Sequence, residues 1–308
     1  MTQEHLASAT RREPARPFGR LITAMVTPFK ADGSLDLEGA ARLATYLVDE
    51  ERHDGLVVNG TTGESATTTD AEKDAVLRAV LEAVGDRAKV IAGVGSNDTQ
   101  HTIELAQSAA KAGAHGLLVV TPYYNRPPQA GLLRHFTMVA DATDLPVMLY
   151  DIPKRTGTAI ESDTLCHLAE HERIVAVKDA KGDLAASASV IARTDLAYYS
   201  GDDMLTLPLL AIGAVGVVGV PTHLFGARTK EMIEAYERGD VARALAIHQQ
   251  LIPAYQGFFR TQGVILAKAA LRLAGLPAGP VRPPLIDATE EQIAQLRADC
   301  AAAGRELG

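Results

Sequence analysis

Short apolar segments rich in valine, leucine and isoleucine recur along the first two thirds of the chain. We predict eight strands from them, at residues 21–26, 56–58, 90–92, 117–120, 147–150, 174–177, 197–199 and 217–220. The segments between them, such as 71–84 and 99–112, have the apolar spacing of amphipathic helices. A strand followed by a helix, repeated every 20 to 35 residues or so, is typical of parallel β/α architecture.

The number of predicted strands favours a closed sheet. Eight strands within about 220 residues match an α/β fold of the (β/α)8 TIM barrel type. A doubly wound open sheet has the same alternation, so periodicity alone leaves it open as the alternative.

The strand pattern stops after residue 220, and helical segments follow to the end of the chain. They are interrupted at Gly239–Asp240, at Gly257 and in the proline-rich segment 276–284. We therefore predict three parts, which are a flexible N-terminal tail at 1–17, a barrel catalytic domain at 18–225 and a C-terminal α-helical subdomain at 226–308. The tail is predicted because residues 1–16 are polar and contain proline.

Composition excludes several classes of protein. The formal net charge is -8 and basic residues form no cluster, which argues against a nucleic-acid partner. No apolar run has membrane-spanning length and no signal peptide is evident, so we expect a cytoplasmic protein without a membrane partner. Cys166 and Cys300 form no Cys-x-x-Cys motif, which fits a reducing compartment without disulfides.

The candidate chemistry lies at the predicted strand ends, because β/α barrels place their active sites at the C-terminal ends of the strands. Polar segments stand at five of these ends, at 59–65, 121–125, 150–157, 178 and 201–203.

Lys178 is the candidate nucleophile, because it ends a strand that reads as buried on both faces. An exposed lysine of pKa about 10.4 is almost fully protonated at neutral pH, whereas burial lowers the pKa and frees the amine to react. Most strand-end lysines instead reach solvent or pair with a neighbour such as Asp179. Lys181, in the polar turn that follows, is interpreted as such an ordinary lysine.

Other side chains are open to two interpretations. The turn 60–65 offers hydroxyl and backbone N–H groups to a carboxylate or phosphate, but its threonines could equally cap the next helix. Tyr150 and Tyr124 could transfer protons or simply pack. Arg155 could bind a carboxylate through two hydrogen bonds or stay solvated.

Three further patterns predict no site. Residues 93–95 lack the third glycine of a dinucleotide-binding loop. His167 and His171 have helical spacing but no third ligand, so no metal site is predicted. Asp202 and Asp203 are interpreted as loop-capping residues.

Five motifs, in order, resemble those of the dihydrodipicolinate synthase family, in the superfamily that includes N-acetylneuraminate lyase. They are Gly-Thr-Thr-Gly-Glu-Ser at 60–65, Thr-Pro-Tyr-Tyr-Asn-Arg-Pro at 121–127, Tyr-Asp-Ile-Pro-Lys-Arg-Thr-Gly at 150–157, Val-Lys-Asp at 177–179 and Ser-Gly-Asp-Asp at 200–203. The resemblance implies a lyase in which Lys178 forms an imine with pyruvate. The derived enamine then attacks L-aspartate 4-semialdehyde, giving 4-hydroxy-tetrahydrodipicolinate for diaminopimelate and lysine biosynthesis.

The resemblance also implies roles for single residues, with no metal and no organic cofactor. Tyr150, Thr61 and Tyr124 correspond to a proton relay, in which Tyr124 comes from a neighbouring subunit of a homotetramer. Thr62 corresponds to the residue that holds the pyruvate carboxylate, and Arg155 to the one that binds the semialdehyde carboxylate. The remaining pocket positions implied are Val218 and Gly201.

Some positions depart from the family pattern. Ser65, Ala66, Asn97 and Tyr123 match the lysine-binding site of inhibited members. Asp70, Lys73 and His101 stand where sensitive members carry His, His and Glu. We therefore predict weak or no inhibition by lysine. The segment 217–223 contains a proline that many relatives lack, which leaves the shape of the acceptor pocket open.

Two alternative functions remain. Another pyruvate-dependent aldolase of the superfamily would act on sugar acids, but those enzymes lack an arginine at the position of Arg155. A catalytically silent binding protein on the same barrel has no reason to retain all of Lys178, Tyr150, Thr61, Tyr124 and Arg155.

Overall fold

Eight parallel strands close into one barrel in the computed structural model, which describes residues 15–308. The strands are β1 (Leu21–Ala24), β2 (Gly55–Val58), β3 (Lys89–Gly93), β4 (Gly116–Val120), β5 (Val147–Asp151), β6 (Ile174–Asp179), β7 (Ala197–Ser200) and β8 (Gly216–Gly219). Each strand pairs with the next, and β8 pairs with β1. The closed (β/α)8 barrel is therefore confirmed, and the open doubly wound sheet is excluded.

Helices connect the strands and continue beyond them. They are α1 (Leu37–Asp49), α2 (Asp70–Val84), α3 (Thr99–Ala112), α4 (Gln129–Asp141), α5 (Pro153–Thr156), α6 (Ser162–Leu168), α7 (Leu184–Arg193), α8 (Thr206–Ala211), α9 (Thr222–Glu237), α10 (Val241–Phe258), α11 (Gly263–Leu273) and α12 (Glu290–Ala302). Short 3-10 helices lie at Ser65–Thr67 and Asp203–Leu205. Every one of these helices is too short or too polar to span a bilayer, within residues 15–308.

The strands are apolar without alternation because both of their faces are buried. β1, β2, β5, β7 and β8 consist entirely of buried residues. One face packs inside the barrel and the other against the surrounding helices, as expected for a parallel sheet.

Two strands end earlier than the sequence predicted, because side chains replace the hydrogen bonds of the sheet. β1 stops at Ala24, and the Val26 N–H donates to His223 Nε2 at 3.1 Å. β8 stops at Gly219, and the Val220 N–H donates to Asp203 Oδ2 at 3.2 Å.

The pairing of β5 with β6 contains one irregularity. Val147 pairs with Ile174, but Met148 pairs with Ala176, so Val175 is an extra residue without a partner on β5. From that point the register places Tyr150 opposite Lys178 and Asp151 opposite Asp179.

The C-terminal helices agree with most of the predicted breaks. Gly239 has a φ of 82° and separates α9 from α10, and the segment 276–284 separates α11 from α12. The break predicted at Gly257 is present two residues later, because α10 ends at Phe258 and α11 begins at Gly263. The predicted domain boundary at residue 225 falls inside α9, at the kink formed by Phe225, and the division into domains stays a prediction. Residues 1–14 of the predicted tail lie outside the described part of the chain.

Candidate active site

Lys178 lies near the end of β6 and is almost completely buried, with 5% of its surface exposed. Its Nζ atom lies 4.2 Å from the centre of the Tyr150 ring on the adjacent strand. Burial lowers the pKa of Lys178 to about 8, while Asp203 opposes this shift and Arg155 adds to it. At pH 7 about a tenth of such a lysine is the neutral amine. Lys178 thus has the environment of a nucleophile.

Lys178 does not pair with Asp179, which was the alternative expected from the sequence. Asp179 Oδ1 accepts from the Lys181 N–H at 2.9 Å, and its other oxygen accepts from the Ser187 hydroxyl. Lys181 Nζ lies 3.4 Å from Asp151 Oδ2, so Lys181 has a structural ion pair, consistent with its interpretation as an ordinary lysine. These contacts hold the two strand ends and leave the Lys178 amine unpaired with either carboxylate.

Tyr150 is buried beside Lys178 and is a strong candidate for proton transfer. Burial raises the pKa of its hydroxyl to about 12, and Arg155 and a hydrogen bond with Thr61 oppose the shift. The hydroxyl is therefore protonated at neutral pH, so it can donate a proton and recover one through a hydrogen-bonded neighbour. Its backbone carbonyl accepts from both the N–H and the hydroxyl of Thr121, which fixes the strand end.

The turn after β2 is held by its own backbone and by the segment that follows β1. The Glu64 N–H donates to Thr61 O at 3.1 Å, and the Thr27 hydroxyl donates to Gly63 O at 2.7 Å. The helix-capping interpretation of Thr61 and Thr62 is wrong, because Thr69 caps α2 with Glu72 in a capping box. Both threonines are consequently free of that role.

Gly201 lies against the stem of Lys178. A Cβ atom added to Gly201 would approach Lys178 Cγ to 3.1 Å and Ala180 Cβ to 3.0 Å. The residue predicted to line the pocket therefore gives the lysine chain room to pass. Val218 is buried in β8.

A cavity of about 490 Å³ lies at the same end of the barrel as the buried lysine and tyrosine. Thr61, Tyr124 and Arg155 line it, and the C-terminal part of the chain adds Gln262, Pro284 and Leu285. Thr61 also contacts Tyr150, so it connects the cavity with the buried pair. The structure thus brings together residues predicted from four separate strand ends.

Arg155 and Tyr124 occupy the rim of this cavity. Arg155 is exposed in the short helix α5, and no carboxylate within residues 15–308 pairs with it. Tyr124 is 90% exposed and has a φ of 73°, a conformation that is uncommon for a bulky residue. Within residues 15–308, no contact of the Arg155 or Tyr124 side chain explains its position at the rim.

The residues matching the lysine site lie in two places. Ser65, Ala66 and Tyr123 line the rim of the cavity. Asn97, in the loop after β3, accepts through its backbone carbonyl from the Asn125 amide at 2.8 Å. His101 Nε2 lies 2.9 Å from Asp70 Oδ2.

Lys73 completes the Asp70 cluster. Its Nζ donates to Thr68 O at 2.5 Å and lies 3.9 Å from Asp70 Oδ1. The three departures from the lysine-sensitive pattern are therefore neighbours that interact with one another.

The loop-capping interpretation is confirmed for Asp202 and wrong for Asp203. Asp202 caps the following 3-10 helix as predicted, with its carboxylate accepting from the Met204 N–H at 3.1 Å. Asp203 is instead buried, and burial raises its pKa to about 7, against the opposing effects of the Val220 N–H and of Lys178. Its position two residues after Gly201, just beyond the end of the strand next to Lys178, was the available signal.

The paired histidines serve separate contacts. His167 Nδ1 interacts with Asp163 O at 2.8 Å, and His171 Nε2 lies 3.1 Å from Asp141 Oδ1. In the described residues, no group of three or more His, Cys, Asp or Glu side chains is arranged to hold a metal ion.

Known proteins resemble the chain over nearly its whole length. A sequence model of the Dihydrodipicolinate synthetase family matches residues 17–303. The 4-hydroxy-tetrahydrodipicolinate synthase of Acidothermus cellulolyticus is 77% identical over 96% of this chain and 95% of its own length.

Solved structures agree with the sequence comparison. The crystal structure of DHDPS from Cyanidioschyzon merolae with lysine bound is 46% identical, covers 94% of this chain and 99% of its own, and superposes with a TM-score of 0.92. A monomeric dihydrodipicolinate synthase variant is 35% identical, covers 95% of this chain and 99% of its own, and has a TM-score of 0.91. This chain belongs to the dihydrodipicolinate synthetase family.

Proposed function

We propose that the chain condenses pyruvate with L-aspartate 4-semialdehyde to 4-hydroxy-tetrahydrodipicolinate, the product named by its relatives, in the first committed step of diaminopimelate and lysine biosynthesis. The observation that carries this proposal is the buried Lys178, whose lowered pKa supplies a neutral amine beside a protonated tyrosine. Its membership of the family supplies the substrates.

The reaction begins with attack of the neutral Lys178 amine on C2 of pyruvate. The carbinolamine loses water when Tyr150 donates a proton to its hydroxyl group, and an imine forms. Thr61 and Tyr124 return the proton to Tyr150 from the cavity. The backbone and hydroxyl groups of Thr62 hold the pyruvate carboxylate.

Carbon–carbon bond formation follows. Loss of a proton from the pyruvate methyl group gives an enamine, whose carbon attacks the aldehyde of the semialdehyde, and the aldehyde oxygen is protonated. Arg155 binds the carboxylate of this second substrate, because its guanidinium is exposed at the cavity rim and can form two parallel hydrogen bonds. The substrate amino group then attacks the imine carbon, closes the ring and releases the Lys178 amine. Val218 and Gly201 form the wall and the passage for the lysine stem.

Borohydride trapping tests this mechanism. Reduction in the presence of pyruvate should add a pyruvate-derived mass to Lys178 in the wild type and not in Lys178→Ala, as read by intact mass and peptide mapping. A lack of adduct, or an adduct on another lysine, would exclude the imine at Lys178. Turnover of sugar acids in place of the semialdehyde would instead identify the other aldolase of the superfamily.

We also propose that the enzyme is a cytoplasmic homotetramer in which Tyr124 enters the neighbouring active site. The 90% exposure of Tyr124 supports this, since a large aromatic side chain at the cavity rim is typical of an interface. The free thiols of Cys166 and Cys300 fit a reducing compartment. Mixing Tyr124→Phe with Lys178→Ala chains should restore part of the activity if subunits share the residue. Full activity of a monomeric Tyr124→Phe variant would contradict a proton relay shared between subunits. Cell fractionation tests whether the enzyme is cytoplasmic.

A further inference from the structure

A buried ion pair joins the C-terminal helices to the turn that carries Thr61 and Thr62. Lys268 of α11 is completely buried, and its Nζ lies 2.6 Å from Oε1 of Glu64, whose side chain is only 2% exposed. The same ammonium donates to Pro280 O at 2.8 Å. A charged pair at this depth is costly to desolvate and is a weak source of stability compared with apolar packing. The presence of this ion pair therefore indicates a role in holding the turn in place.

Both carboxylate oxygens of Glu64 are held by the C-terminal part of the chain. Oε1 contacts Lys268, and Oε2 accepts from the Arg282 backbone N–H at 2.8 Å. The Phe29 ring supports the pair from the barrel side, with Lys268 Nζ 4.1 Å from its centre and the Arg282 guanidinium carbon 4.2 Å away. Glu64 therefore has little freedom to move.

The backbone of Glu64 is in the left-handed region, with a φ of 56°. A non-glycine residue adopts this conformation only where the surroundings enforce it. Here the Glu64 N–H donates to Thr61 O, so the same residue closes the turn on the threonines. Release of the Glu64 side chain would remove the contacts that offset its backbone strain, and the turn would relax.

We propose that Lys268 is a positioning residue, which fixes the Thr61–Thr62 turn in the pyruvate site through its ion pair with Glu64. This inference rests on the proposed function, which assigns Thr61 to the proton relay and Thr62 to the pyruvate carboxylate. The C-terminal helices then act on catalysis from a position that touches neither substrate.

Lys268→Met is the direct test, because it keeps an unbranched apolar stem and removes the ammonium. We expect kcat/KM for pyruvate to fall on the order of tenfold or more, since small displacements of catalytic groups have large kinetic effects. The KM for the semialdehyde should stay within about twofold, because Arg155 on α5 binds that substrate independently of the turn. A purely structural role would leave both constants unchanged in the folded protein or affect them together.

Arg305→Met is the matched control. Arg305 Nη1 lies 2.6 Å from Glu51 Oε1, so this pair also joins the C-terminal segment to the barrel. Glu51 lies between α1 and β2, at the end of the barrel opposite the strand ends that carry Lys178. This variant should lose thermal stability and keep both kinetic constants within about twofold of the wild type.

Glu64→Gln keeps the inference testable if Lys268→Met does not fold. The amide is nearly isosteric with the carboxylate but removes the charge that holds Lys268, and the same selective loss for pyruvate is expected. Wild-type constants in a folded Lys268→Met, or in Glu64→Gln, would overturn the inference, and so would an equal rise in both KM values. Because borohydride trapping on wild-type Lys178 tests the proposed function separately, the two can fail independently.

Discussion

Lys178 and Tyr150 face each other from adjacent strands, with the lysine Nζ 4.2 Å from the centre of the tyrosine ring. The ring covers one side of the ammonium and excludes water from it. The aromatic face also attracts the protonated form, and burial outweighs that attraction in setting the lowered pKa of the amine. Tyr150 therefore influences the protonation of the Lys178 amine and also provides a hydroxyl that can donate a proton.

The pH dependence of imine formation should reveal the lowered pKa of Lys178. Only the neutral amine attacks pyruvate, so the trapping rate should rise about tenfold per pH unit in acid and level off above the pKa of about 8. The measurement is the rate of borohydride trapping at low pyruvate concentration from pH 6 to 10. A rate that keeps rising towards pH 10.5 would mean that burial does not shift this lysine.

Removal of the Asp203 charge should move that profile to lower pH. The Asp203 carboxylate favours protonated Lys178, so its loss in Asp203→Asn lowers the pKa of the amine below about 8. The inflection of the trapping profile should shift in the acid direction relative to the wild type. Asp202→Asn is the matched control, because Asp202 caps a 3-10 helix and is not among the groups that shift Lys178. An unchanged or alkaline-shifted inflection in Asp203→Asn would contradict the coupling.

Gly201→Ala should impair catalysis by crowding the lysine stem. The added methyl group would lie 3.1 Å from Lys178 Cγ and 3.1 Å from the Asp179 carbonyl, so the lysine must move by a few tenths of an ångström. We expect kcat/KM to fall about tenfold with a folded protein, as measured by steady-state turnover and circular dichroism. Gly131→Ala, in α4, is a control whose activity should stay within about twofold.

Lysine should inhibit the enzyme weakly or not at all. Asp70 interacts with His101 and Lys73, and this cluster replaces the residues of lysine-sensitive members. A turnover assay with sub-millimolar lysine should show no half-inhibition. The triple variant Asp70→His, Lys73→His, His101→Glu restores the sensitive pattern and should become more sensitive. Half-inhibition of the wild type in that range would refute the prediction.

Buried His223 should make the fold sensitive to acid. Its Nδ1–H donates to Val220 O and its Nε2 accepts from the Val26 N–H, so the folded state requires the neutral ring. Burial lowers its pKa to about 4 from an ordinary 6.5, so the unfolded chain takes up the proton first as the pH falls. The contribution to stability is full above pH 6.5 and is lost towards pH 4, by about 2 kcal/mol at pH 5.

The matched variant His223→Gln isolates that contribution. Asp203 and Asp151 have raised pKa values and act in the opposite direction over the same range, so the wild-type slope alone is ambiguous. The difference in unfolding free energy between wild type and variant, measured in urea at pH 7 and pH 5, should shrink by about 2 kcal/mol. A constant difference would show that His223 is not protonated on unfolding.

The sequence was sufficient for the alternation of strands and helices, because the strands are buried on both faces and the helices carry clear apolar spacing, whereas closure of the sheet was only favoured by the number of strands. The predicted helix 99–112 coincides with α3, which Asp98 caps and Gly113 ends in a left-handed conformation. The strand ends at Ala24 and Gly219 could not be predicted, since they depend on His223 and Asp203, which are distant in sequence.

The candidate site was predictable where a residue stands at a strand end, as Lys178, Tyr150 and Arg155 do. Residues that act through three-dimensional contacts were not predictable. Lys268 stands among the apolar residues of 263–271, which indicates burial, but its partner Glu64 is more than 200 residues away and local sequence does not identify it. The depth of Asp203 likewise follows only from the closed barrel.

The extra residue Val175 has a consequence for how this enzyme can vary. If Val175 paired with Met148, β6 would be shifted by one position against β5, and Tyr150 would face Val177 in place of Lys178. Insertions and deletions in the surface loops of the barrel are expected to leave the positions of Lys178 and Tyr150 unchanged. A deletion of Val175 would likewise keep Lys178 opposite Tyr150, because the remaining pairs would then form a regular ladder, so β6 can lose this one residue before the amine and the phenol are separated.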